Sequence, residues 1–161
     1  MVKNAVIERF LNPEIASLKP YQPGRPIEEV AREQGLEPDS ILKLASNENP
    51  LGASPEAVKA LQREVSQVYR YPDDGAYFLT NALADFYGVE ADQLLLGAGS
   101  NQIIEFIGHS FLARDRSVVM SAHAFISYKL VGMMFGAEII EVPANGLGHD
   151  LDRMADAIRE D

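Results

Sequence analysis

From Gln93 onward the chain alternates short apolar runs with longer amphipathic segments: QLLLGA, SNQIIEFIGHSFL, SVVMSA, FISYKLVGMMFG, AEIIEVPA and LDRMADAIRED. The short runs, rich in Val, Ile and Leu, read as strands; the longer ones repeat apolar residues every three to four positions and read as helices. Strands joined through helices lie parallel, because a tight hairpin would reverse the chain. The crossovers are expected to be right-handed, with helices on both faces of the sheet. The predicted class is α/β, a three-layer fold with a mostly parallel sheet.

Upstream, NAVIERFLN carries apolar residues at helical spacing, and the Pro-rich LKPYQPGRP follows as an extended arm. PIEEVAREQG predicts a short helix with Pro26 in its first turn and Gly35 as its stop. ILKLA, residues 41–45, predicts a strand, and SPEAVKALQREVSQV a helix with Ser54 as N-cap and Pro55 at its first position. After YRYPDDG, residues 76–87 predict a further helix closed by Gly88. The expected organisation is an N-terminal arm and short helix over residues 1–35, then the first part of a larger domain over 36–161.

Composition narrows the partners. Of 161 residues 47% are hydrophobic, and no apolar stretch is long enough to span a bilayer, so no membrane partner is expected. Fourteen basic against twenty-four acidic residues give a net charge of −10, with Lys and Arg scattered, which argues against a nucleic-acid surface. The opening MVKNAVIERFLNPEI lacks the pattern of a secretory leader and the chain has no cysteine, so a cytoplasmic protein is expected. No cluster suggests a metal site.

In parallel sheets ligands bind beyond the carboxyl ends of the strands, so the strand-to-helix junctions hold the candidates. In LLLGAGSNQIIEF, Gly97 and Gly99 allow close backbone approach, while Ser100 and Asn101 bring polar side chains to a helix start. A helix N-terminus favours an exposed anion by about 0.3–1 kcal/mol, so a phosphate would suit this junction. A turn capped by Ser100 would account for the same residues. The loop is neither a Walker loop nor the dinucleotide fingerprint, since neither Gly-Lys-Ser/Thr nor a third Gly follows. In MSAHAFISY, Phe125 could lie flat on a ring, or be a core aromatic beside a hydrogen-bonded His123. In LASNENPLGASP, Asn47, Glu48 and Asn49 exceed what a turn requires, which suggests a ligand; Asn side chains bonding their own backbone are the competing account.

Taken in order, LASNENPLGASPEAVKAL, YRYPDDGAYFLTNALADFYGV, LLLGAGSNQIIEFI, SAHAFISY and GAEIIEVP resemble the N-terminal part of histidinol-phosphate aminotransferases. These are fold-type I pyridoxal-phosphate enzymes, and the resemblance runs from about Leu18 to the end. It implies pyridoxal 5′-phosphate as cofactor, held by Gly99, Ser100 and Asn101 through its phosphate and by Phe125 stacking on its ring. It implies a homodimer in which Tyr71 reaches the phosphate of the partner subunit's cofactor and Tyr21 contacts substrate across the interface. Asn47 and Asn49 would line the substrate pocket, Asn49 as the main polar contact. The implied reaction is transamination between L-histidinol phosphate and 2-oxoglutarate, giving imidazole-acetol phosphate and glutamate, in L-histidine biosynthesis. Aromatic-amino-acid aminotransferases and threonine-phosphate decarboxylase resemble the same region, and a non-catalytic phosphate-binding or assembly module is the alternative of another class.

The chain departs from the family pattern in one respect. None of Lys3, Lys19, Lys43, Lys59 or Lys129 lies in the small-residue context of the family's Schiff-base lysine. That lysine is expected beyond Asp161, so no catalytic residue is assigned in the chain, and the 161 residues alone are expected to be an incomplete, inactive large domain.

Overall fold

The computed structural model describes residues 10–19, 21 and 23–160. Seven α-helices and two strands are set among them: α1 Pro13–Ser17, α2 Ile27–Gln34, α3 Pro55–Glu64, α4 Tyr77–Tyr87, α5 Ser100–Phe111, β1 Ser117–Ser121, α6 Ile126–Met134, β2 Glu138–Val142 and α7 Leu151–Asp156. Most of the helix predicted over NAVIERFLN lies outside the described residues. The described residues form two compact units, one of residues 10–19 and 78–160 and one of residues 21 and 23–77.

The first unit is built on a β-α-β core. Strands β1 and β2 pair in parallel, Ser117 opposite Glu138 through Ser121 opposite Val142, with α6 as the crossover. Met120, Val142, Ala137 and Val131 are buried there. Two helical glycines set how closely the layers approach. A Cβ at Gly132 would collide with the Ile139 side chain and lie 3.1 Å from Val118, so its absence lets α6 lie against the sheet. A Cβ at Gly108 would fall 2.5 Å from Val131 Cγ1 and 2.6 Å from the Phe135 ring, so α5 meets α6 at that point. The short α1 joins this core through Glu14, whose carboxylate lies 2.7 Å from the Arg114 guanidinium.

The second unit holds α2 and α3. Pro26 is the N-cap of α2 rather than a residue of its first turn, and Gly35 ends it at φ 65°, the left-handed conformation that a side chain disfavours. Arg25 bridges Glu29 at 2.8 Å and Glu33 at 2.6 Å along the outer face of α2. Helix α3 begins at Pro55 after Ser54, as predicted, but the Ser54 side chain makes no capping bond, and the last turn tightens to a 3₁₀ turn over Val65–Gln67.

Two strand predictions are corrected. Residues 41–44 and 94–97 are extended but pair with no strand, and the only sheet among the described residues has two strands. A strand is defined by its neighbour's hydrogen bonds, and these segments are apolar runs without a neighbour. Leu42 and Leu44 are 78% and 86% exposed, and Leu95 is 63% exposed. The last helix is also shorter than predicted, closing at Asp156, with Asp150 as its cap through a 3.1 Å bond from the Arg153 amide.

Candidate functional site

The glycine junction is the most developed feature of the first unit. Gly99 is the N-cap of α5 at φ 85° and ψ 171°, a conformation open essentially to glycine alone. Its amide donates to the Gly97 carbonyl at 2.8 Å, and the Ala98 amide donates to Gln102 Oε1 at 2.6 Å, so the loop is closed on itself from both sides. The amides of Ser100, Asn101 and Gln102 find no acceptor among the described residues, as expected for a helix's first turn. Ser100 is the first helical residue and makes no capping bond, which sets aside the turn capped by Ser100. Its hydroxyl and the exposed Asn101 side chain are free to serve a ligand. No atom lies within 4 Å of where a Gly99 Cβ would sit, so that side of the turn is open. These donors suit a phosphate: three amides at the positive end of a twelve-residue helix, with two polar side chains beside them.

Phe125 belongs to the same unit. It is the N-cap of α6, four residues past the end of β1, and its ring is 47% exposed with the Tyr128 ring edge-on at 6.1 Å. An aromatic held by one edge contact keeps a face available for stacking. His123, two residues earlier, adopts a left-handed φ of 66°, unusual for a side-chain-bearing residue. It borders a cleft of about 180 Å³ with Ser121, Gly146 and His149, at the carboxyl end of β1.

The other candidates lie in the second unit. Asn49 Oδ1 accepts from the Leu51 amide at 3.0 Å and its Nδ2 donates to the Gly52 carbonyl at 3.0 Å. The Asx-turn account of the loop therefore holds for Asn49, yet an amide side chain has two donors and two acceptor sites, and one of each remains. Ser46 and Asn47 are both left-handed, at φ 73° and 50°, and Lys43 pairs with Glu48 at 2.7 Å across the bend. Tyr21 is 55% exposed and Tyr71 fully so.

Two residues escaped the sequence reading. Gln102 supports the glycine loop from the third helical position, where Gln is known to reach back over a helix start; that spacing was the available signal. Asp73 organises the YPDDG segment by accepting from the Gly75 amide at 3.1 Å and the Tyr77 amide at 2.8 Å. An Asp four residues before a helix hints at this, but the double bond does not follow from spacing.

No protein-family model matches the chain. A protein named histidinol-phosphate aminotransferase from Akkermansia muciniphila is 49% identical over 155 residues, covering 96% of this chain and 43% of that protein. Histidinol-phosphate aminotransferase 2 of Nitrosospira multiformis is 49% identical over 144 residues, covering 89% and 37%. Among solved structures, histidinol-phosphate aminotransferase from Sinorhizobium meliloti in complex with pyridoxal-5′-phosphate superposes with a TM-score of 0.79 at 22% identity, over 91% of this chain and 38% of that one. That likeness shows the fold, an α/β architecture shared with that structure. The chain spans about two fifths of the length of the curated relatives it matches. Over nearly all of its own residues, the chain is similar to part of proteins named histidinol-phosphate aminotransferase.

Proposed function

We propose that the chain carries the cofactor-phosphate anchor of a pyridoxal-phosphate-dependent aminotransferase of L-histidine biosynthesis, one that moves an amino group from L-histidinol phosphate to 2-oxoglutarate and back. The observation that carries this reading is the junction at Gly99, where a glycine-only conformation exposes the unpaired amides of Ser100, Asn101 and Gln102 at a helix N-terminus. Pyridoxal phosphate, when bound, supplies the electron sink for the amino-group exchange. The residues of this chain bind and orient it: the 100–102 amides with the Ser100 hydroxyl and Asn101 take the phosphate, and the Phe125 face takes the ring. Tyr71 serves the phosphate of a partner subunit's cofactor and Tyr21 the partner's substrate, within a homodimer. Asn47 and Asn49 serve the substrate, Asn49 through its remaining donor and acceptor.

None of the described lysines is assigned the Schiff base. Lys43, Lys59 and Lys129 each pair with a carboxylate, at 2.7, 2.8 and 2.9 Å. Lys3 lies outside the described residues. No helix among the described residues is long and apolar enough to cross a membrane.

Turnover assays on the full-length protein test the reading, with histidinol phosphate, phenylalanine, tyrosine and threonine phosphate as substrates. Preferred turnover of histidinol phosphate with 2-oxoglutarate is expected. A preference for the aromatic amino acids, carbon dioxide released from threonine phosphate, or phosphate binding without any turnover would each replace it with the corresponding alternative.

A further inference from the structure

The YRYPDDG segment puts a tyrosine with nothing to hold it on a backbone that is held closely on both sides. Tyr71 is fully exposed and hydrogen-bonds to no described residue. Before it, the Arg70 amide donates to the Gln67 carbonyl at 3.0 Å, and the Arg70 guanidinium lies 5.3 Å over the Tyr69 ring with Nε 3.1 Å from the Tyr69 hydroxyl. After it, Pro72 fixes its own φ and confines Tyr71 to extended backbone. Asp73 then closes the turn with three bonds: its carbonyl accepts from the Ala76 amide at 3.0 Å, and its two carboxylate oxygens accept separately from Gly75 and Tyr77.

This closure works against local preference. Ala76 sits at φ 43°, a left-handed conformation that costs a non-glycine residue about 1–2 kcal/mol. A loop without a task would relax, so the two charge-assisted bonds of Asp73 hold a shape that the Ala76 backbone resists. The second amide also belongs to the first residue of α4, where a carboxylate is favoured by the helix dipole, so the loop is pinned to a helix end.

We infer that Asp73 is a positioning residue: by clamping the 73–77 turn it fixes the direction in which Tyr71 presents its hydroxyl, and so sets how well Tyr71 binds the phosphate of pyridoxal phosphate. The inference rests on the functional reading above, which gives Tyr71 its ligand. Asp73 itself touches only backbone amides. Its contribution to cofactor affinity therefore passes through the Tyr71 hydroxyl and vanishes when that hydroxyl is absent.

The test is a double-mutant cycle on the full-length protein, with pyridoxal 5′-phosphate affinity measured for wild type, Tyr71→Phe, Asp73→Ala and the double variant. Loss of one hydrogen bond to a charged group should weaken binding about tenfold or more in Tyr71→Phe. Asp73→Ala should approach that loss in the wild-type background and add less than about twofold in the Tyr71→Phe background. Asp73→Asn, which keeps one acceptor oxygen and the side-chain volume, should fall between wild type and Asp73→Ala, and it carries the test if the alanine variant does not fold. Without cofactor, amide hydrogen exchange at Gly75 and Tyr77 should speed up in both Asp73 variants. Equal losses from Asp73→Ala in both backgrounds, or no loss at all, would overturn the inference and leave the functional reading standing. A wild-type protein that does not bind pyridoxal phosphate would overturn the functional reading itself.

Discussion

Replacing Gly99 by Ala separates the conformation of the glycine junction from its packing. No atom lies within 4 Å of the added methyl, so it meets no obstacle in the rest of the chain. The whole effect comes from φ 85° and ψ 171°, where a residue with a Cβ is strained by about 1–3 kcal/mol. The strained turn has two ways to respond. It can keep its shape, and stability then falls by that amount while ligand affinity is unchanged. Alternatively it relaxes, stability is nearly preserved, and binding must restore the turn, which weakens affinity by about five- to 150-fold. By the closed thermodynamic cycle, the stability loss and the affinity loss should together reach about 1–3 kcal/mol however they divide. Urea unfolding gives the first quantity and calorimetric titration with pyridoxal phosphate the second. Gly97→Ala is the steric contrast, because its methyl would lie 2.8 Å from Ile103 Cδ1 and 3.2 Å from Gln102 Oε1. A Gly99→Ala protein in which both quantities stay within about 0.5 kcal/mol of wild type would show that the junction does not need its glycine conformation.

Ser100→Ala should leave stability within about 0.5 kcal/mol, since the hydroxyl caps nothing, while weakening phosphate-ligand affinity by about 1 kcal/mol or somewhat more; a stability loss without an affinity loss in the same two measurements would contradict that. Gly108→Ala should destabilise by up to about 2 kcal/mol in thermal or urea unfolding, as overpacking of about 1–3 kcal/mol against Val131 and Phe135 exceeds the roughly 1 kcal/mol gained in helix propensity. The carboxyl of Glu14 is held below its usual range, first by its own backbone amide and then by the Arg114 guanidinium. A depressed folded value means that this contribution is present above the unfolded carboxylate pKa and is lost as pH falls through the folded one. Carbon-detected NMR titration should show the Glu14 midpoint rising only part of the way toward normal in Arg114→Gln, because the backbone bond remains.

Much of this molecule could be read from local residue order. Ser54-Pro55 set a helix start, Gly35 and Gly88 set helix ends, and the 3.6-residue repeat of 100–111 set a helix, because each depends on bonds and dihedrals within a few residues. The glycines and polar residues of GAGSN pointed to an anion for the same reason: the free amides belong to the helix start itself. Pairing is another matter. Segments 41–44 and 94–97 carry the same apolar runs as β1 and β2, but only the latter two have each other, and nothing in a strand's own sequence states where its neighbour is. The close contacts at Gly108 and Gly132 became visible only once helices and sheet were packed, since a missing Cβ matters when another element fills its space. Asn49 and Asp73 show the same limit at the scale of single side chains. For Asn49 the sequence left a ligand and its own backbone as alternatives, and to Asp73 it assigned nothing; the final dihedrals of each loop decided that both spend oxygens on nearby backbone amides, because residue type alone does not set a side chain's partner.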